Sequence, residues 1–219
     1  MYQNSFSALQ GLVAFFVSMV NVMIERSYLV MNTTLKVKTW NIQPSFTCPG
    51  KTRWCKRNCY ACKGQYVFPS VQEAMAWRTL ETLGSHFVSS MVAECKRLRN
   101  KVVRVHSAGD FYSVEYLQKW IDIAKACPEV TFFTYTRTWH IPSFLPKLQE
   151  FASLPNVTLW FSVDPSDKHV PEWDNIARIE GSIGAGEVSC KKQLTEGESC
   201  KTCKMCFDGS HNDVVFHVH

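Results

Sequence analysis

With 219 residues, 46% of them hydrophobic and 20% charged, the chain can bury the core of one domain and lacks the bias of disordered or collagen-like sequence. The net charge of +5 is modest, but Lys51, Arg53, Lys56, Arg57, Lys63, Lys191, Lys192, Lys201 and Lys204 gather in or beside two cysteine-bearing segments. Ten cysteines raise the case of a secreted disulfide scaffold, yet eight of them bunch at 48–62 and 190–206 in spacings suited to metal coordination, which favours a reducing, cytoplasmic compartment. The clustered cations either offset thiolates and an anionic metal cluster or line a groove for nucleic acid or another anionic substrate.

In chain order, the apolar run at 9–24 is broken by Gln10, Gly11, Ser18 and Asn21 and is shorter than the roughly 20 residues a membrane span requires. No Lys or Arg precedes it, as a secretory signal would demand, so no membrane association is expected. Residues 1–30 read as a dispensable extension, with Met31 an alternative start. A strand at 35–42 leads into the cysteine loop at 48–64, and 70–99 reads as one long helix or two. A β-branched strand at 102–106 ends in Ser107-Ala108-Gly109-Asp110. Residues 113–126 then form a helix with Ser113 as cap and Pro128 beyond its end. A strand at 130–135 precedes Arg137, and a helix at 144–154 closes on Pro155. The strand at 157–163 contains Ser162 and ends in Asp164-Pro165. A weaker helix at 172–178, a strand at 179–183 and a last strand at 214–218 complete the reading. This alternation predicts an α/β fold, a partial TIM-type barrel over 31–185 with a small cysteine-rich appendage at 186–219. In such folds the loops at the carboxyl ends of the strands build the site. The cysteine loop, the 107–110 turn, Arg137 and Asp164 are therefore expected to face one cavity.

The run Cys55-x3-Cys59-x2-Cys62 offers three closely spaced thiolates, which can hold three irons of a four-iron cube and leave the fourth open to an exchangeable ligand. Cys48 stands upstream as a spare or fourth thiolate. A triad of Cys48, Cys55 and Cys59 is the alternative, and a structural zinc site of all four is the competing reading. The second bunch, Cys190-x9-Cys200-x2-Cys203-x2-Cys206, has four thiolates, enough to close a second [4Fe-4S] cluster or a zinc knuckle, or to lend one ligand to the first site. Cys95 and Cys127 lie apart and read as small buried apolar side chains. Trp139 and Trp160 read as packing residues, and His106, His217 and His219 as core or surface histidines.

The cysteine loop after a first strand, the small acidic turn after the second and the polar ends of the third and fourth resemble radical S-adenosylmethionine enzymes over roughly 35–183. Within that superfamily, Thr47-Cys48-Pro49-Gly50 with Cys55, Asn58-Cys59-Tyr60-Ala61 and Ser107-Ala108-Gly109-Asp110-Phe111-Tyr112 look like the small phage-encoded family known as gene product eighty-eight. The superfamily's usual aromatic residue directly precedes the third cysteine, whereas here Tyr60 follows Cys59 and Ala61 precedes Cys62. The resemblance implies a [4Fe-4S] cluster that binds S-adenosylmethionine and, once reduced, cleaves it to a 5′-deoxyadenosyl radical that abstracts hydrogen from an unknown substrate. It implies that Ser107, Gly109 and Asp110 receive the cofactor's amino group, Arg137 its carboxylate, and Ser162 and Asp164 its ribose. An electron donor such as a flavodoxin or ferredoxin would serve it, in the host cytoplasm if the chain is phage-encoded. Two further readings stand beside this one: a zinc-stabilised module that binds nucleic acid or protein without catalysis, and an iron–sulfur redox protein that does not use S-adenosylmethionine.

Overall fold

The structure, a computed structural model, describes residues 27–44, 46–183, 188–208 and 213–218, so the apolar run at 9–24 and His219 lie outside the described residues. Strands β1 (Val30–Asn32) and β2 (Val37–Trp40) form an antiparallel hairpin with Val30 opposite Thr39. Asn32 closes it, its Oδ1 accepting the N–H groups of Thr34 and Leu35. Every later pairing is parallel: β3 (Val102–Val105), β4 (Thr131–Thr136), β5 (Val157–Val163) and β6 (Ile176–Ile179) follow in chain order. Strand β7 (Val188–Ser189) forms the far edge, and β8 (Asp213–Phe216) inserts between it and β6. The result is an eight-stranded, mostly parallel sheet in the order β1-β2-β3-β4-β5-β6-β8-β7, an α/β architecture as expected.

Seven α-helices accompany the strands among the described residues: α1 (Arg53–Asn58), α2 (Pro69–Glu81), α3 (Phe87–Lys96), α4 (Val114–Ala126), α5 (Leu145–Ala152), α6 (Lys191–Leu194) and α7 (Cys200–Cys203). Helix α4 begins where Ser113 Oγ accepts the N–H of Tyr116 at 3.1 Å, and it buries Tyr116, Leu117, Trp120, Ile121 and Ala124 along one stripe. That stripe, with Phe87 and Met91 of α3 and Phe151 of α5, covers Trp40, Val103, Val105, Phe132 and Phe161 of the sheet. Each such side chain contributes roughly 1.5–3 kcal/mol when fully buried. Cys95 and Cys127 are buried here as apolar side chains.

Because side chains alternate along a strand, Phe133, Trp160 and Ala177 point to the opposite face, where with Val37 and Val214 they form a second core. Cys190, Met205 and Cys206 complete it. The cysteine-rich carboxyl-terminal segment is therefore not an appendage: it supplies β7 and β8 to the sheet and covers this second face. Its attachment is direct, since Trp160 Nε1 donates to the Cys206 carbonyl at 2.8 Å and the rings of Phe133 and Phe207 lie 5.1 Å apart.

Other boundaries move for physical reasons. The expected helix at 172–178 is absent, and 176–179 is instead strand β6, in which Ile176, Ala177 and Arg178 are all buried between β5 and β8. A strand buried on both faces has no alternating pattern to betray it. The region 70–99 divides into α2 and α3, and Pro69, at the first helical position, rather than Ser70 marks the start. The fold also begins before Met31: Leu29 is fully buried and the Tyr28 ring stacks on Trp40 at 5.6 Å.

Candidate functional site

Parallel strands bring their carboxyl ends to one rim, and the first cysteine segment is fastened there at three points. Gly50 lies against the end of β4, where a Cβ would fall 2.0 Å from the Arg137 carbonyl oxygen, so only glycine permits the approach. Thr52 caps α1 by accepting the N–H of Cys55 at 3.0 Å and donates its hydroxyl to Asp164 Oδ2 at the end of β5 at 2.5 Å. Tyr60 donates its hydroxyl to the Ser107 carbonyl after β3, and its ring meets Tyr66 edge-on at 5.8 Å.

The rim itself is held by a buried ionic network. Arg137 donates through Nη2 to Asp167 at 2.8 Å, stands 3.1 Å from Asp164 Oδ2, and donates through Nη1 to the Ser162 carbonyl. His140 Nε2 is 3.0 Å from Asp167. Although burial opposes it, this company of His140, the Asp164 N–H and Arg137 brings Asp167 down to about 2. Asp110 accepts from Thr136 Oγ1 at 2.7 Å, from the Phe111 N–H at 2.7 Å and from the Arg137 N–H at 2.8 Å. Burial outweighs these bonds and pushes its carboxyl up to about 6. Gly109 has φ of 87°, and a Cβ there would sit 2.3 Å from Ile42 Cγ1. Asn41 Oδ1 accepts the N–H groups of both Ser107 and Ala108.

The expected cofactor residues Ser107, Gly109, Asp110, Arg137, Ser162 and Asp164 thus gather on one rim with the cysteine loop. The carboxylates and guanidinium among them are largely engaged within the protein: Asp110 by Thr136 and two backbone N–H groups, Asp164 by Thr52, Ser166 and Arg137, and Arg137 by Asp167 and the Ser162 carbonyl as well. Two buried polar atoms there have no partner, Ser107 Oγ and Arg137 Nε. Sequence reasoning missed Gly50, Thr52, Tyr60 as a tether, Asn41 and Asp167. A threonine three residues before Cys55 is a capping signal that would have found Thr52. His106 is a core histidine: burial holds it at about 3, and its Nε2 lies 2.8 Å from Tyr116 Oη.

The cysteines separate into the two expected groups. Burial pushes the Cys59 thiol up to about 11, with Cys62 and Cys55 as its like-charged neighbours, while Tyr60 lies within the influence of Cys59, Cys48 and Cys55. In the carboxyl-terminal group burial raises Cys200, aided by Cys190 and Cys203, and takes Cys206 to about 12. All eight are free thiols. Among the described residues no three His, Cys, Asp or Glu side chains converge closely enough to hold a single metal ion. Of the eight, Cys190 and Cys206 are buried, Cys62 is exposed and the rest are half-buried; as thiolates they are the donor type that iron–sulfur clusters take.

Fold and site define a cysteine-rich α/β protein whose parallel strands carry one thiol group at their carboxyl ends and a second across the face opposite the helices. The chain belongs to the Gene product 88 family, whose profile matches residues 21–209. It is 29% identical over 196 residues to the Gene 88 protein of Mycobacterium phage L5, covering 76% of this chain and 80% of that protein. It is 27% identical over 194 residues to the Gene 88 protein of Mycobacterium phage D29, covering 75% and 79%. No solved structure matches. Among the described residues no helix is long and apolar enough to cross a membrane.

Proposed function

We propose that the chain is an iron–sulfur enzyme of the radical S-adenosylmethionine type, acting on a substrate still to be identified. The observation that carries this reading is the threefold fastening of the Cys48–Cys62 segment to the carboxyl ends of β3, β4 and β5 through Tyr60, Gly50 and Thr52. Cys55, Cys59 and Cys62 would hold three irons of a cube, with Cys48 beside them. When bound and reduced, such a cluster supplies one electron for cleavage of the sulfonium to a carbon radical.

The protein's own residues then have distinct tasks. Arg137, Asp164 and Asp167 fix the strand ends so that the loop sits in one position, and Asp110 locks the β4 terminus onto the 107–110 turn. Ser107 Oγ and Arg137 Nε remain to meet polar groups of the cofactor. Within this reading the consecutive parallel strands β2 to β6, followed by β8, form the partial barrel.

Anaerobic purification with iron and sulfide analysis, followed by reduction in the presence of S-adenosylmethionine, tests the proposal. Brown protein with absorbance near ~400 nm and release of 5′-deoxyadenosine are expected. A colourless zinc protein, or iron without nucleoside release, would return the chain to the binding-module or redox-protein readings respectively. Cys55→Ala and Cys59→Ala should each abolish iron at this group.

A further inference from the structure

Cations crowd the first cysteine segment with nothing acidic among them. From residue 27 to residue 72 the chain carries seven Lys and Arg and no Asp or Glu. The helical period sorts them on α1: Arg53, Lys56 and Arg57 are exposed, whereas Trp54, Cys55 and Asn58 are half-buried. At ~100° per residue the three cations share one side of the helix and Cys55 lies on the other. Lys63 is exposed as well, and among the described residues none of these four cations forms an ion pair. Because Thr52 fixes the start of α1 to Asp164 and Gly50 seats the loop on β4, this cationic face stands at the carboxyl ends of the strands.

Neutralising the thiolates does not account for it. Cations placed for that task would turn toward the sulfurs, whereas those of α1 face water. The carboxyl-terminal group has as many cysteines, yet Glu196 and Glu198 stand among its Lys191, Lys192 and Lys201. Charge is balanced locally there and left open in the first segment.

Exposed aromatic rings accompany the open charge: Phe46 is 66% exposed, Phe68 58% and Tyr60 43%. The Tyr60 hydroxyl is held on the Ser107 carbonyl, which fixes where its ring is presented. Gln72 of α2 donates to the Tyr66 carbonyl and accepts from Gln43, so the loop before Phe46 and the turn before Phe68 are tied into the same surface. Rings left in water beside unpaired cations match what a single-stranded nucleic acid offers, phosphates for the cations and unstacked bases for the rings. A duplex hides its base faces within the stack, and an acidic protein has no such series of flat faces.

We propose that the outer face of α1, with Lys63, Tyr60 and Phe68, docks single-stranded nucleic acid across the rim. This gives a partner class to the functional reading above and rests on the rim being the working end of the fold, but the binding itself needs neither iron nor radical chemistry.

The test titrates the full chain by fluorescence anisotropy against labelled oligo-dT and oligo-U of about 20 nucleotides and a duplex of the same length, over ~50–200 mM salt. Four phosphate contacts predict that log affinity falls against log salt with a slope near ~3 for the single strands. Arg53→Gln, Lys56→Gln and Arg57→Gln together should weaken binding at least ~tenfold at the lowest salt and reduce the slope to ~1. Arg53→Lys with Arg57→Lys should retain it. Phe68→Ala should weaken binding ~fivefold or more with the slope unchanged, since a lost stacking contact carries no charge. Lys191→Gln, Lys192→Gln and Lys201→Gln remove the same charge elsewhere and should change affinity less than ~threefold. Near-UV circular dichroism checks each fold, and Phe46→Ala replaces Phe68→Ala if that variant does not fold. Absence of binding at the lowest salt, equal loss in the two triple variants, tighter binding of the duplex, or binding to anionic lipid vesicles in place of oligonucleotides would each overturn the proposal. Nucleoside release from S-adenosylmethionine by a chain that binds no oligonucleotide would remove this inference alone, whereas oligonucleotide binding by a chain that takes up no iron would keep it and remove the radical reading.

Discussion

Asp110→Asn provides a direct check on the electrostatics of the rim. The ordinary carboxyl titrates at 3.8, and burial takes Asp110 to about 6 in the folded chain. A folded-state value above the unfolded one means that between these two pH values the folded chain holds a proton that the unfolded chain has released. Stability from this group is therefore greatest at low pH and declines as pH rises through about 6. With 1.36 kcal/mol per pH unit, the ionised side chain costs the fold ~3 kcal/mol at pH 8 relative to pH 3.5. Asn carries no such charge. It retains an acceptor for one of the Thr136, Phe111 and Arg137 donors but not the geometry for all three. The loss of stability caused by Asp110→Asn should accordingly be large at pH 4 and smaller, by up to ~3 kcal/mol, at pH 8. Urea denaturation of both proteins across that range, followed by tryptophan fluorescence, measures the difference. A difference between the two proteins that stays constant with pH would show that Asp110 is solvated and would undo the assignment of the carboxylate to the strand-end framework. Iron content should be unchanged in the variant.

Three further outcomes follow from the packing. Gly50→Ala places a methyl 2.0 Å from the Arg137 carbonyl, so the cysteine loop must lift from β4; iron at the first group should fall several-fold while far-UV circular dichroism stays native, and full iron retention would refute the contact. Leu29→Ala should cost about 2–4 kcal/mol in urea denaturation, since the side chain is fully buried; a loss under ~1 kcal/mol would restore Met31 as a workable start of the fold. Trp160→Phe removes the donor to the Cys206 carbonyl and should destabilise by about 1–3 kcal/mol while making Cys190 and Cys206 react faster with a thiol reagent; unaltered reactivity would separate the tryptophan from the cysteine-bearing wall.

The helix at 114–126 was legible from Ser113 and the apolar spacing of Leu117, Trp120, Ile121 and Ala124, because local hydrogen bonding and one buried stripe suffice to specify it. Strands β3, β4 and β5 were legible because their β-branched and aromatic runs are bounded by turn residues, and the two cysteine groups because their spacing is local. The segment at 172–178 misled because Trp173 and Ile176 suit a helical period as well as an extended strand. Its true state depends on β8, a partner more than thirty residues further along the chain.

The sequence by itself therefore determined the α/β class, the positions of the principal strands along the chain and the local spacing of the cysteines, which local hydrogen bonding and hydrophobic patterning are enough to set. Only the tertiary structure decided that the carboxyl-terminal cysteines cover the second sheet face rather than hang from the domain, and that Asp110, Arg137 and Asp164 bind one another at the rim. Each of these is a meeting of residues far apart in the chain, and whether a buried polar side chain is satisfied depends on the partner that the sheet order delivers.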